Sequence, residues 1–487
     1  MRAIRAWALP CAALVSIWST SCGAFDGIWD KQLSPGWCKD HPQDADCRRE
    51  FPDAGPVTCS SNASCMAPTP ACDLAGTMTC VQCVAPDQTT ACGSTMPACG
   101  PDHACHACSK HADCATSSAC LEDGSCAMET DVAYVEPLVG TGTTCSLAMP
   151  CKKVAEALGT GRRYVKLTGT VDEPIDVHGG RVVTFLADST TTLTRTNGNG
   201  AVITVRDDGT SLAIYDLTIR NGQNSPSSIG CLIPAGSGAP TLSLTRTLIT
   251  NNAGGGISAA NGSLTITQST ISGNQGPGIS ATGGSLTITQ STISGNQGVG
   301  ISATGGMLTI ARSTVSLNPG GGLSIGGVGP VFDITNTYIF RNGDENSSTF
   351  GGLSLDFAIP GTNRLAFNTI VDNRANLGAA SAGGVFCDAA SFVAGNNLIF
   401  RNTGGSTTTA QTFGNCTYGN SFVVAAPAAD NTPQFKHPNT TPFDYHLTAE
   451  TPTTIRDAAG SCSIVDHDGY QRPFGGACDL GAAEYHP

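Results

Sequence analysis

The residues of this chain best placed to share chemistry lie between 333 and 401. Aligned on a recurrent Asn, Arg341, Asp372 and Arg401 occupy the position just before it in three successive units. If those units stack, a guanidinium, a carboxylate and a second guanidinium follow one another along a line, with Arg374, Asp356 and Asp388 as additions. A carboxylate beside arginines can move protons and hold a charged group in a groove. The same residues would equally form a surface ladder of ion pairs worth about 0–1 kcal/mol per contact. Both readings stay open. Asp207 and Asp208 offer no alternative pair, since they sit in the turn-like stretch VRDDGTS. Residues 241–327 contain Arg246 and Arg312 but no Asp, Glu, Lys, His or Tyr, so a general acid–base pair is absent there.

The elements that must position these residues follow from self-similarity. Residues 263–284 (SLTITQSTISGNQGPGISATGG) and 285–306 (SLTITQSTISGNQGVGISATGG) are identical except that Val299 replaces Pro277, and the frame extends to Thr241 on one side and Met307 on the other. Within a unit Leu264 and Ile266 alternate with Thr265 and Thr267, and Ile271 and Ile279 centre two further short segments. This is the period of strands, not helices. Gly- and Asn-rich corners between them suit a chain that turns sharply three times per repeat. Coils stacked at about 4.8 Å would pair each strand with its equivalent and line the inward Leu and Ile into columns. The predicted fold is therefore all-β: a parallel β-helix of about 22 residues per coil, right-handed by the general rule for parallel crossovers and not by this pattern alone, preceded by a disulfide-rich, loop-dominated region. Asn252, Asn274, Asn296 and Asn318, continued by Asn342, Asn373 and Asn402, should form an amide column at one corner.

The I-x-x-N followed by a Gly-Gly-aliphatic corner resembles the right-handed β-helix repeats of the pectate-lyase-like superfamily, over about residues 131–487. A weaker likeness is to polymorphic outer-membrane adhesins. The resemblance implies that YVEPLVGTGTTCSLAMPCKKVAEAL opens the domain, with Cys145 bridged to Cys151 and a short helix from Cys151 to Leu158 closing the first coil. It also implies that DHDGYQRPFGGACDLGAAEYHP ends it, with Asp466, Asp468, Gly469, Arg472, Asp479, Gly481 and Glu484 in register and Cys462 bridged to Cys478. Cys387 and Cys416 are further disulfide candidates. Enzymes of this superfamily that cut acidic polysaccharides use carboxylates, paired or metal-bound, with a Lys or Arg base. The paired Asp of its polygalacturonases has no counterpart here. Asp466-x-Asp468-Gly469 opens like a calcium loop, yet its twelfth position is Ala477 where a bidentate Glu is required. No cofactor is expected.

The remainder of the chain differs in material. Of the 23 Cys, 18 lie in the first 151 of the 487 residues, and 14 fall between Cys38 and Cys126 among Pro, Ala, Ser and Thr. Such density in a segment with little core reads as a disulfide scaffold. Cys80-x-x-Cys83 and Cys105-x-x-Cys108 have zinc-ribbon spacing, with disulfides the simpler account. Residues 1–24 read as a secretory leader: Arg2 and Arg5, a short apolar run, then small residues around Cys22 resembling a lipoprotein cleavage box. The domain plan is thus a leader to residue 24 with Cys22 as lipidation site, a linker over 25–58, a cysteine-rich region over 59–130 and the β-helix over 131–487. Cys231 is the candidate unpaired thiol. With 38 acidic against 25 basic residues and a net charge of −13, a nucleic-acid partner lacks its electrostatic basis. Membrane contact is expected only through an N-terminal lipid. The reading favours an exported monomer of a bacterium, outer-membrane-anchored or extracellular, whose cysteine-rich stalk carries a β-helix that binds polysaccharide or another cell surface. A polysaccharide lyase or glycosidase with its site in residues 333–401 is the alternative.

Overall fold

The computed structural model describes residues 58–487 except 66, 68, 85–91, 223–228, 237, 357–362, 377, 379, 388–392, 405–410, 425–430 and 464. The expected leader with Cys22, nearly all of the linker and Asp388 fall outside them. The chain divides into two units after Ala127, three residues before the expected boundary.

The N-terminal unit is built from three consecutive four-cysteine modules. Each carries two interleaved bridges: Cys59–Cys72 with Cys65–Cys80, Cys83–Cys99 with Cys92–Cys105, and Cys108–Cys120 with Cys114–Cys126. Two modules add a minimal hairpin, Ala71–Cys72 against Cys80–Val81 and Ala98–Cys99 against Cys105–His106. Cross-links stand in for a core that segments this short and polar cannot build. The zinc-ribbon spacing has a plain origin: Cys80 and Cys83 are the last cysteine of one module and the first of the next, as are Cys105 and Cys108. All four sulfurs are spent in disulfides.

The second unit is a right-handed parallel β-helix. Three parallel sheets run its length: the first from Val132–Val135 to Thr417–Gly419, the second from Thr170–Asp172 to Phe422–Val424, the third from Ile175–Val177 to Thr412–Gly414. In the repeated coils the pairing is in strict register, Leu264 on Leu286 and Ile266 on Ile288, then Ile271 on Ile293 and Ile279 on Ile301. These side chains are buried and form one core with their counterparts above and below. A short helix, Val154–Gly159, buries Val154, Ala157 and Leu158 against the first coil. It starts three residues later than the sequence suggests because Cys151 is tied back to Cys145, and Glu156 caps the free amides of Lys152 and Lys153.

Two buried polar ladders hold the corners. In the first, each Asn amide donates to the next side-chain oxygen, from Asn252 through Asn274, Asn296, Asn318, Asn342 and Asn373 to Asn402, over 2.8–3.1 Å. Gln411 receives the last amide. The second ladder was not anticipated: the backbone amides of Thr247, Ser269 and Ser291 donate to the hydroxyls of Ser269, Ser291 and Ser313, and Asn368 and Asn397 continue the file. Coils pack so closely beside the Asn column that a Cβ at Gly278 would stand 2.6 Å from the carbonyl oxygen of Gly300. Gly256, Gly300, Gly322 and Gly352 repeat that constraint.

The last segment does not continue the helix. After Phe422–Val424 the chain forms the antiparallel pair Phe435–His437 and Asp444–Leu447 and lies across the outer face of the second sheet. There the outward positions change character. Thr270 and Thr292 give way to Tyr338, Phe340, Leu398 and Phe400, which pack beneath Phe435, Tyr445, Leu447 and Leu480 as a second core.

Candidate functional site

The corner before the Asn column has left-handed backbone: φ is 54° at Arg341, 55° at Asp372 and 54° at Arg401. Gly273 and Gly295 fill it at no steric cost in the repeated coils, whereas three charged side chains accept that geometry here. Stacking brings all three together. Arg401 grips Asp372 with two parallel bonds, Nε to Oδ1 at 2.9 Å and Nη2 to Oδ2 at 2.5 Å. Arg341 does not reach Asp372 itself. It donates through Nε to the Tyr445 hydroxyl at 3.1 Å, which in turn donates to Asp372 Oδ2 at 2.6 Å, while its Nη2 bonds the carbonyl of Pro438. The Arg341 guanidinium also lies 3.9 Å from the centre of the Phe443 ring. Burial and the adjacent Asp372 push the Tyr445 phenol far above its ordinary range. The charged file is therefore turned into the C-terminal segment and acts as its fastening. Arg374 and Asp356 are exposed, separate from this cluster, and form no ion pair among the described residues.

Next to the fastening is a cavity of about 350 Å³, walled by Tyr338 and Phe340 of the second sheet and by Phe443, Asp444, His446 and His467 of the C-terminal segment. His446 is clamped between two carboxylates, Nδ1 to Asp444 at 2.5 Å and Nε2 to Asp468 at 2.7 Å. The bond to Asp468, reinforced by Asp444, holds its imidazole above the ordinary range despite burial. Against the opposing pull of burial, the bonds from His446 keep both carboxylates low. His467 behaves oppositely: burial lowers its pKa, and Nδ1 faces the carbonyl of Asn336 at 3.1 Å. Tyr338 meets both imidazoles edge to face, at 5.6 and 4.7 Å. The residue is only 5% exposed, yet its hydroxyl is not one of the buried side-chain polar atoms left unpaired among the described residues.

None of Tyr338, Tyr445, His446 or Asp444 stood out in the sequence, although a sign was there. The second-sheet strands of the upper coils read YIF, TIV and LIF, apolar throughout in YIF and LIF and with one Thr in TIV, where lower coils read TIS. A strand apolar on both faces is covered on both.

The terminal motif is a closing knot. Arg472 is buried against Glu484 at 2.8 Å, bonds the carbonyls of Asp479 and Gly481, and lies over the Phe367 ring. Asp466 Oδ1 accepts the amides of Asp468, Gly469 and Tyr470, and Oδ2 that of Glu484. Cys462 bonds Cys478, Cys387 bonds Cys416, and Cys231 is free and buried; burial pushes that thiol up to about 12.

Coil register, buried ladders and an inward aliphatic core define the class, a right-handed parallel β-helix with a cysteine-rich N-terminal unit. The family description "Right handed beta helix region" matches residues 255–422. No curated protein matches the chain. Among solved structures it is similar to pectate lyase Pel9A (18% identity, TM-score 0.43, covering 73% of this chain and 96% of that one). It is also similar to the GH136 lacto-N-biosidase from Eubacterium ramulus (10%, 0.38, 60% and 68%) and to the periplasmic alginate epimerase AlgG (14%, 0.28, 52% and 76%).

Proposed function

We propose that this is an exported bacterial protein, held at the outer membrane through Cys22 or secreted, whose β-helix binds extracellular polysaccharide or the glycans of another cell without cutting them. The observation that carries the reading is the fate of Asp372. The one carboxylate flanked by arginines is saturated by Arg401 and Tyr445 and covered by the C-terminal segment, so it is not poised as a base. The middle coils instead present ordered neutral donors and acceptors. Outward Ser263, Thr265 and Thr267 lie in register with Ser285, Thr287 and Thr289 on the first sheet, Thr270 with Thr292 on the second, and Gln268 and Gln290 stand exposed at the corner between them. Hydroxyls and amides repeated at the spacing of a coil suit the hydroxyls of a sugar chain. Nine disulfides among the described residues favour an oxidising compartment.

A glycan array probed with the full chain tests this. Retention on polymeric glycans, weakened about tenfold or more by replacing both Gln268 and Gln290 with Ala, is expected from the loss of two amide contacts. Failure to retain any glycan overturns the reading.

A further inference from the structure

The file Thr270, Thr292 and Thr314 runs up the outer face of the second sheet, each residue paired in register with the next. One coil higher the register partner of Thr314 is Tyr338, where the C-terminal segment begins to cover the sheet. Thr314 and Tyr338 both line the 350 Å³ cavity. The hydroxyl file therefore does not fade into solvent at this end; it leads into a walled recess.

We infer that this recess is a subsite for the terminal, uncharged sugar residue of a glycan chain that lies along the threonine file. The inference rests on the glycan-binding reading above and deepens it. Four features carry it. The volume is at the small end for ligand sites and suits one ring rather than several. The walls combine the apolar rings of Phe340 and Phe443 with polar groups, as binding of an amphipathic pyranose requires. The Tyr338 side chain, more than nine-tenths buried, lines the recess, and its hydroxyl offers a ligand one donor and an acceptor. Finally, Asp444 on the wall is already paired with His446, which a second carboxylate, Asp468, holds from its other side, and neither Lys nor Arg lines the cavity. A uronic acid would bury its carboxylate there without a cation, so a neutral hexose or N-acetylhexosamine is selected over a uronate. Because the clamp is closed by Asp468 on the far side of His446, the recess is also rigid.

The test uses the full chain with methyl glycosides of glucose, galactose, mannose and N-acetylglucosamine as probes and methyl glucuronide as the charged control, read by NMR of the His446 ring. At least one neutral glycoside should shift the His446 signal saturably, and the glucuronide should not. Tyr338→Phe, which removes one hydroxyl and keeps the packing, should weaken that binding about tenfold, as should His437→Ala, since His437 lines the cavity and is exposed at its rim. If the array retains glycans yet no neutral glycoside moves His446, or Tyr338→Phe binds like wild type, the subsite assignment is wrong while the wider reading stands. If the array also retains nothing, the wider reading has failed as well. A shift by the glucuronide equal to that of the neutral sugars would overturn the claim of an uncharged ligand.

Discussion

At the scale of single residues, polar groups in this β-helix are consumed by structure before any is left for a ligand. Asn296 shows the economy: its amide donates to Asn318 and to the carbonyl of Ile271, and its oxygen accepts two bonds from Asn274. Asn296→Ala would strand several buried donors and acceptors at about 1–3 kcal/mol each, so a loss of at least about 3 kcal/mol in denaturant unfolding is expected. His446 makes a prediction with a definite sign. Its folded pKa is raised above 6.5, chiefly by Asp468, so the clamp stabilises fully below 6.5 and is lost as pH rises through the raised value. Asp444 and Asp468, held below 3.8, stabilise above 3.8 and lose their contribution as pH falls through their lowered values. His467 acts against His446, since a buried neutral ring disfavours protonation as pH drops below 6.5. A global melting curve mixes the two, so the check is residue-specific. The His446 ring should titrate with a midpoint above 6.5, and exchange protection of the Asp444–Leu447 strand should fall on the alkaline side. A midpoint at or below 6.5 would mean the clamp is not formed in solution.

At the scale of elements, the repeated coils were readable because every level of the sequence agrees: alternation gives the strands, identity at 22 residues gives the register, and the recurrent Asn gives the corner. Glycine at the tight corner was read as freedom to turn, whereas at Gly278 the stronger reason is proximity to Gly300 of the next coil. Gly278→Ala should therefore lower stability by about 1–3 kcal/mol, as overpacking does. Gly159→Ala, where nothing lies within 4 Å, should be neutral or better. Equal effects in paired unfolding measurements would contradict close coil stacking. The site was less readable. Alignment on the Asn column set Arg341, Asp372 and Arg401 in one file, but their partners Tyr445 and Pro438 arrive from 73 or more residues further along the chain, beyond any periodicity. The pairing inside the cysteine modules was not readable either, although their first members, Cys59, Cys83 and Cys108, are spaced by 24 and 25 residues. Variable spacing inside each module hid the pattern.

At the scale of the whole molecule, the β-helix unit divides its work by height. The middle coils keep neutral hydroxyl faces in solvent, the lower coils carry exposed ion pairs such as Arg206–Asp176, and the upper coils surrender the second sheet to the C-terminal segment. Covering that sheet ties up the arginines and the carboxylate that looked most like a reaction centre, leaving them half-buried. The account's central claim is accordingly that the molecule holds glycans without breaking them. The direct measurement is mass spectrometry of the best-retained polysaccharide after prolonged incubation with saturating full-length protein. Unchanged chain length, with no new unsaturated or reducing ends, is the predicted result. Accumulating ends that disappear with Asp372→Asn would contradict it and restore Asp372 as a catalytic residue.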